Sequence, residues 1–157
     1  LTDLPEMAIA TDNVDPGSFE KPHKWDIKFI QKFMLTFGLV SSIFDYLTFG
    51  ALLFVARASE IGFRTGWFTE SVLSAAIIVL VIRSKRIFFR SKPGKHLLIA
   101  TGAVVIITLL LPYTPVAGIL GFAPLPPEVL LLIGIILLLY IMTAELVKMI
   151  FYKYVKF

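Results

Sequence analysis

At 157 residues, with 57% hydrophobic and 17% charged residues and a mean hydropathy of +0.85, the chain lies far from soluble globular composition, in which roughly a quarter of residues are charged. This is membrane-protein composition, and the absence of cysteine excludes disulfides and cysteine-ligated metal. The net charge of +4 is no nucleic-acid signal, because the basic residues gather beside apolar spans, where anionic headgroups meet them.

The first stretch, "LTDLPEMAIATDNVDP", sets two carboxylates, Asp3 and Glu6, around Pro5 in a run otherwise apolar to Ala10. If the chain meets the membrane surface near Asp12 and Asn13, Asp3 lies about ten residues inside, roughly 15 Å of helix and close to half the hydrocarbon thickness. Residues 1–15 then read as the end of a membrane helix, and the chain as one that opens inside it, without an initiating methionine. A carboxylate at that depth costs about 2.5–3.5 kcal/mol on insertion scales and marks an ion or proton pathway. Pro5 lacks an N–H and clashes with the preceding turn, which predicts a disturbed helix with carbonyl oxygens released beside Asp3 and Thr2. Such an oxygen-rich set suits Mg2+ or Ca2+. On residues alone the stretch reads equally well as a surface loop.

After a loop over 16–32, the first full span is predicted over 33–56, long enough for the roughly 20 apolar residues a crossing helix needs. Asp45 falls near its middle, with Gly38, Ser41, Ser42 and Thr48 along one helical face. That face must look into protein rather than lipid. We read it as a packing face whose carboxylate hydrogen-bonds a neighbouring helix; the alternative is a proton or ion relay. An external loop over 57–66 leads to a second span over 67–82, short unless it begins back in "EIGFRTG". Glu70, three residues after Trp67, is either a first-turn acid that complements the helix dipole or, with Ser74, an ion ligand.

A basic loop over 83–96 precedes the third span, 97–113, which ends at Pro112 and Pro115. A second external loop, 114–127, precedes the fourth span, 128–150, which follows "PLPP" and leads to a tail over 151–157. Glu145 and Lys148 are spaced as a helix-surface pair. His23 and His96 lie in basic polar stretches without metal-ligand spacing and read as structural.

Lysine and arginine orient the spans, because cytoplasmic loops carry the excess. Lys21, Lys24, Lys28 and Lys32, then Arg83, Lys85, Arg86, Arg90, Lys92 and Lys95, then Lys148, Lys153 and Lys156 fall on one side, against Arg57 and Arg64 on the other. Both ends of the chain are therefore expected in the cytoplasm.

The runs "TDLPEMAIATDNVDP", "KPHKWDIKFIQKFM", "SSIFDYLTFG", "RTGWFTESVLS" and "VIRSKRIFF" together resemble the carboxy-terminal membrane region of P-type cation-transporting ATPases, most nearly the magnesium-importing branch. The resemblance implies an all-α membrane fold: a four-helix transmembrane bundle, the seventh to tenth helices, plus the cytoplasmic half of a preceding sixth. It implies that the sixth helix is partly unwound around an ion-binding aspartate, here Asp3 preceded by Thr2. Glu6, one helical turn further toward the cytoplasm, reads as an entry or exit carboxylate, and Asp45 as a pathway group in the relay alternative. An acidic group on the eighth helix joins some ion sites of the wider family, and Glu70 matches that place. "TDLPE" is more similar to calcium and proton pumps, whereas "ATDNVD" and "SIFDYLTF" are similar to magnesium importers.

Nothing resembles the phosphorylated "DKTGT" motif, a nucleotide-binding domain or the "GDGxNDxPAL" hinge. The chain is therefore expected to hold no cofactor and to be non-catalytic alone, with Mg2+ and ATP belonging to an intact pump. Its expected partners are the lipid bilayer, the transported cation and the amino-terminal remainder of the same pump, in a prokaryotic cell membrane; no nucleic acid is expected. The alternative from another class is a free-standing four-span scaffold or regulatory subunit.

Overall fold

Caps and prolines decide where the helices begin. In the computed structural model, which describes residues 1–9, 12, 27–84 and 93–154, every regular element among the described residues is helical. A short helix α1, Asp3–Ala8, is followed by α2, Ile27–Gly50, which continues as a π-helical turn over Ala51–Val55. Helix α3 spans Glu60–Ile82, α4 spans Lys95–Leu110 and tightens into a 3-10 turn at Leu111–Tyr113, α5 spans Val116–Leu120 and α6 spans Pro127–Tyr154. Four of these segments are long and apolar enough to cross a membrane. His23 and the basic residues Lys21, Lys24, Lys85, Arg86, Arg90, Lys92 and Lys156 lie outside the described residues.

Helix α3 starts seven residues before the span expected from hydropathy, in the "EIGFRTG" stretch. Ser59 sets that start: its backbone is extended and its Oγ accepts from the Gly62 amide at 3.2 Å, which satisfies one of the donors a helix leaves free at its first turn. Pro127 opens α6 at its first position, where a missing N–H costs nothing. Gly121 closes α5 in the left-handed region (φ 68°), with the Phe122 amide returning to Ala117 O at 2.8 Å.

Helix α3 is the common support: it packs against α1, α2, α4 and α6, and a larger share of its apolar window is buried than in any other span. At the end where α2 meets α3, Leu52, Leu73, Val129, Ile133 and Leu137 form one apolar cluster. Leu52 fills the space of a missing side chain at Gly66, where a Cβ would lie 2.8 Å from Leu52 Cδ2. At the other end, which carries Lys28, Arg83, Lys95 and Lys153, the rings of Phe29 and Phe33 sit edge-on to Phe151 with centroids 5.3 and 5.5 Å away. Leu35, Leu39 and Ile43 on α2, and Leu131, Ile135 and Leu138 on α6, face outward, as apolar rows do in lipid.

The pair Glu145 and Lys148 is not on the surface. Lys148 is 1% exposed; its Nζ donates to Val81 O at 2.8 Å and lies 3.0 Å from Glu145 Oε2. The spacing alone missed the face: Lys148 falls in line with the buried Tyr140, Ala144 and Phe151, toward α3. Val81 is in the last turn of α3, whose carbonyls lack intrahelical donors, and the ammonium supplies both a donor and a positive charge there.

Candidate ion-binding site

The acidic residues singled out in the sequence fall at two places, one exposed on α1 and one within the bundle, and α3 is the helix that both places touch. The first is α1. Pro5 is buried and lies in the first turn of this six-residue helix, a position that tolerates proline. The carbonyl it cannot serve, Leu1 O, accepts from the Leu4 amide at 3.3 Å instead. The helix then continues, with the Ile9 amide returning to Pro5, Glu6 and Met7 carbonyls. The expected disturbance at Pro5 is thus a tightened start of the helix. Thr2 occupies the N-cap position without a side-chain cap bond, so its hydroxyl is not engaged there. Asp3 and Glu6 are exposed and Thr2 is half-buried. Ala8 seats α1 on Val79, Leu80 and Leu97.

The second place lies between α2 and α3. Glu70 is 1% exposed, and its Oε2 has no hydrogen-bond partner among the described residues. Ser74 stands one turn on beside the carboxylate and donates to Ser71 O at 3.1 Å. Asp45 approaches Glu70 from α2 closely enough for their charges to interact. It lines a groove of about 560 Å³ together with Ser41, Ser42, Ser71, Ser74 and Tyr140. The face expected to carry Asp45 toward a neighbouring helix opens onto this groove, where Asp45 is half-buried. Of the residues on its face, Ser41 and Ser42 share the groove and Thr48 is fully buried. Gly38 faces open space.

Asp3 does not join the Asp45 and Glu70 pair directly. Helix α1 packs on α4 and α3, whereas α2 packs on α3 and α6. Both α1 and α3 point toward the basic end, and Ala8 is level with Leu80. At about 1.5 Å of rise per residue, Asp3 stands roughly 7 Å nearer that end than Glu70. No group of three or more acidic or histidine side chains among the described residues can hold a metal ion. The oxygen donors come singly or in pairs.

One polar contact escaped sequence reading altogether. Asp12 accepts from Arg83 Nη1 through one carboxylate oxygen and from the Gly94 amide through the other. Its partners are 71 and 82 residues away, so no spacing rule could have signalled it.

These features define a multi-span α-helical membrane region that keeps acidic groups within its bundle. The chain belongs to the family of cation-transporting ATPase C-terminal regions, whose profile matches residues 1–150. It is 33% identical to the magnesium-transporting ATPase, P-type 1, of Salmonella typhimurium over 98% of this chain. It is 37% identical to the protein of the same name from Escherichia coli K12 over 94% of this chain. The chain spans 17% of the length of each of these relatives.

Proposed function

We propose that the chain provides the supporting helices and part of the transmembrane ion site of an ATP-driven Mg2+ pump. The observation that carries this reading is Glu70, a fully buried carboxylate with an unpartnered oxygen beside Asp45 inside a membrane bundle. An intramembrane charge is costly and is kept where it meets an ion or a partner. In this reading Asp3, aided by Thr2, is a direct cation ligand and Glu70 a second one, while Glu6 and Asp45 line the route. All four acidic groups offer hard oxygen donors, the kind that Mg2+ prefers. The names of the relatives support the choice of Mg2+ over Ca2+. ATP and its Mg2+ are handled by the remainder of the pump, which is the chain's principal partner besides the bilayer.

The test is ATP turnover by the purified full-length protein in vesicles, titrated separately with Mg2+, Ca2+ and pH. Saturable stimulation by Mg2+ is expected. Stimulation by Ca2+ or protons alone would keep the pump and overturn its ion, an outcome that "TDLPE" makes worth measuring. The charge asymmetry supports an orientation with both ends of the chain in the cytoplasm, and the bacterial sources of the relatives support a prokaryotic cell membrane. Reporter fusions after Lys92 should therefore read cytoplasmic and those near Ala117 external; the reverse pattern would refute this orientation.

A further inference from the structure

The contact made by Asp12 ties three helix ends together. One turn beyond α1, the Asp12 amide donates to Ile9 O at 3.1 Å, and the side chain spans from there to the ends of two other helices. Arg83 is the C-cap residue of α3, and Gly94 is the N-cap residue of α4. Gly94 has no side chain with which to cap its own helix, so Asp12 supplies from a distance the negative charge that a helix N-terminus favours. Arg83 and Asp12 are 2% and 9% exposed at their side chains, so the pair is desolvated and depends on its geometry. The post to which Asp12 is attached is itself fixed, because Lys148 on α6 holds the last turn of α3 through Val81 O.

We propose that Asp12 is a positioning residue for the ion ligand on α1. It holds the basic end of α1 in register with α3 and α4, and so sets the height of Asp3 relative to Glu70. Helix α1 has six residues, too few for propensity alone to keep it folded and seated. Pro5 and Ala8 are its packed residues, while Asp3, Leu4, Glu6 and Met7 are exposed. A side-chain contact on α4 and α3 resists sliding weakly, whereas a carboxylate fixed by two donors on different helices resists both sliding and rotation. Asp12 touches no ion and acts only through the placement of α1. The inference rests on the proposed ion-pump reading.

The experiment measures the Mg2+ concentration that half-activates ATP turnover of the full-length protein in vesicles, together with its thermal unfolding. Asp12→Ala and Arg83→Ala should each raise the half-activating concentration about tenfold, the lower end of what losing an outer-shell partner of a metal ligand costs. The double variant should be no worse than either single one, since both remove the same contact. Arg83→Lys should recover part of the loss, because it keeps the charge without the planar fork. Asp12→Asn keeps an acceptor for Gly94 and serves if the alanine variant does not fold; it should show a smaller shift in the same direction. Lowered unfolding temperature with an unchanged half-activating concentration would make the contact merely structural and overturn the proposal. If the parent protein responds to Mg2+ while all variants match it, the positioning role fails and the pump reading stands. If the parent protein responds to no cation, both fall.

Discussion

Asp3→Asn should raise the Mg2+ concentration that half-activates ATP turnover by at least about 100-fold, beyond the range expected for loss of an outer-shell partner. Mg2+ dehydrates reluctantly and needs formal negative charge among its oxygen ligands. An amide of the same shape supplies a carbonyl oxygen without that charge. Glu6→Gln should change the same quantity several-fold less, because Glu6 sits one turn toward the basic end and in the proposed reading lines the route instead of binding the ion. Asp45→Asn should also retain most of the turnover, because it keeps a hydrogen-bonding group of similar size in a groove already lined by hydroxyls. An unchanged affinity in Asp3→Asn, with normal expression and phosphorylation from ATP, would remove Asp3 from the site. Loss of transport in Asp45→Asn under the same controls would make Asp45 a relay instead of a lining group.

The largest stability effect should come from Lys148. Lys148→Met removes the donor from Val81 O and breaks the 3.0 Å ion pair with Glu145, whose side chain is 15% exposed. Breaking a buried pair from one side typically costs about 3–5 kcal/mol, whereas replacing both members with apolar groups is often close to neutral. The single variant should therefore lower the unfolding temperature in detergent sharply, and Lys148→Met combined with Glu145→Leu should recover most of it. A single variant as stable as the parent would mean that the ammonium contributes no net binding to the end of α3.

How much of this was legible in the sequence depends on the range of each interaction. The long helices were readable because hydropathy is summed over many consecutive residues, and boundaries slipped where hydropathy does not decide them: α2 begins at Ile27, six residues before the expected span, Ser59 starts α3 well before the apolar run, and the short α5, Val116–Leu120, lies in the expected loop over 114–127. The polar face around Asp45 was readable from its helical period, because helical neighbours are fixed by local geometry. Which helix that face meets is a tertiary fact, and so the groove shared with Ser71, Ser74 and Tyr140 was not. The pair Glu145 and Lys148 shows the same limit. Its spacing is right for an ion pair on any helix face, and only the row of Tyr140, Ala144 and Phe151 could have told which face is buried. Asp12 lay furthest beyond reach, since both its partners come from the far side of two spans.

The π-helical turn at Ala51–Val55 gives the junction between α2 and α3 a constraint on length rather than on composition. Such a turn holds one more residue than an α-helix would need over the same height. A chain one residue shorter there could close into uninterrupted α-helix at the same height, leaving the helix before the turn and the connection through Arg57, at a positive φ of 45°, in register. The change would fall on the turn itself, where Leu52 is seated on Gly66. Substitutions in this turn should thus be tolerated on its lipid-facing side, at Leu53, Phe54 and Val55, while a single deletion would be felt through the seat of Leu52 and would leave the crossing of α2 and α3 standing.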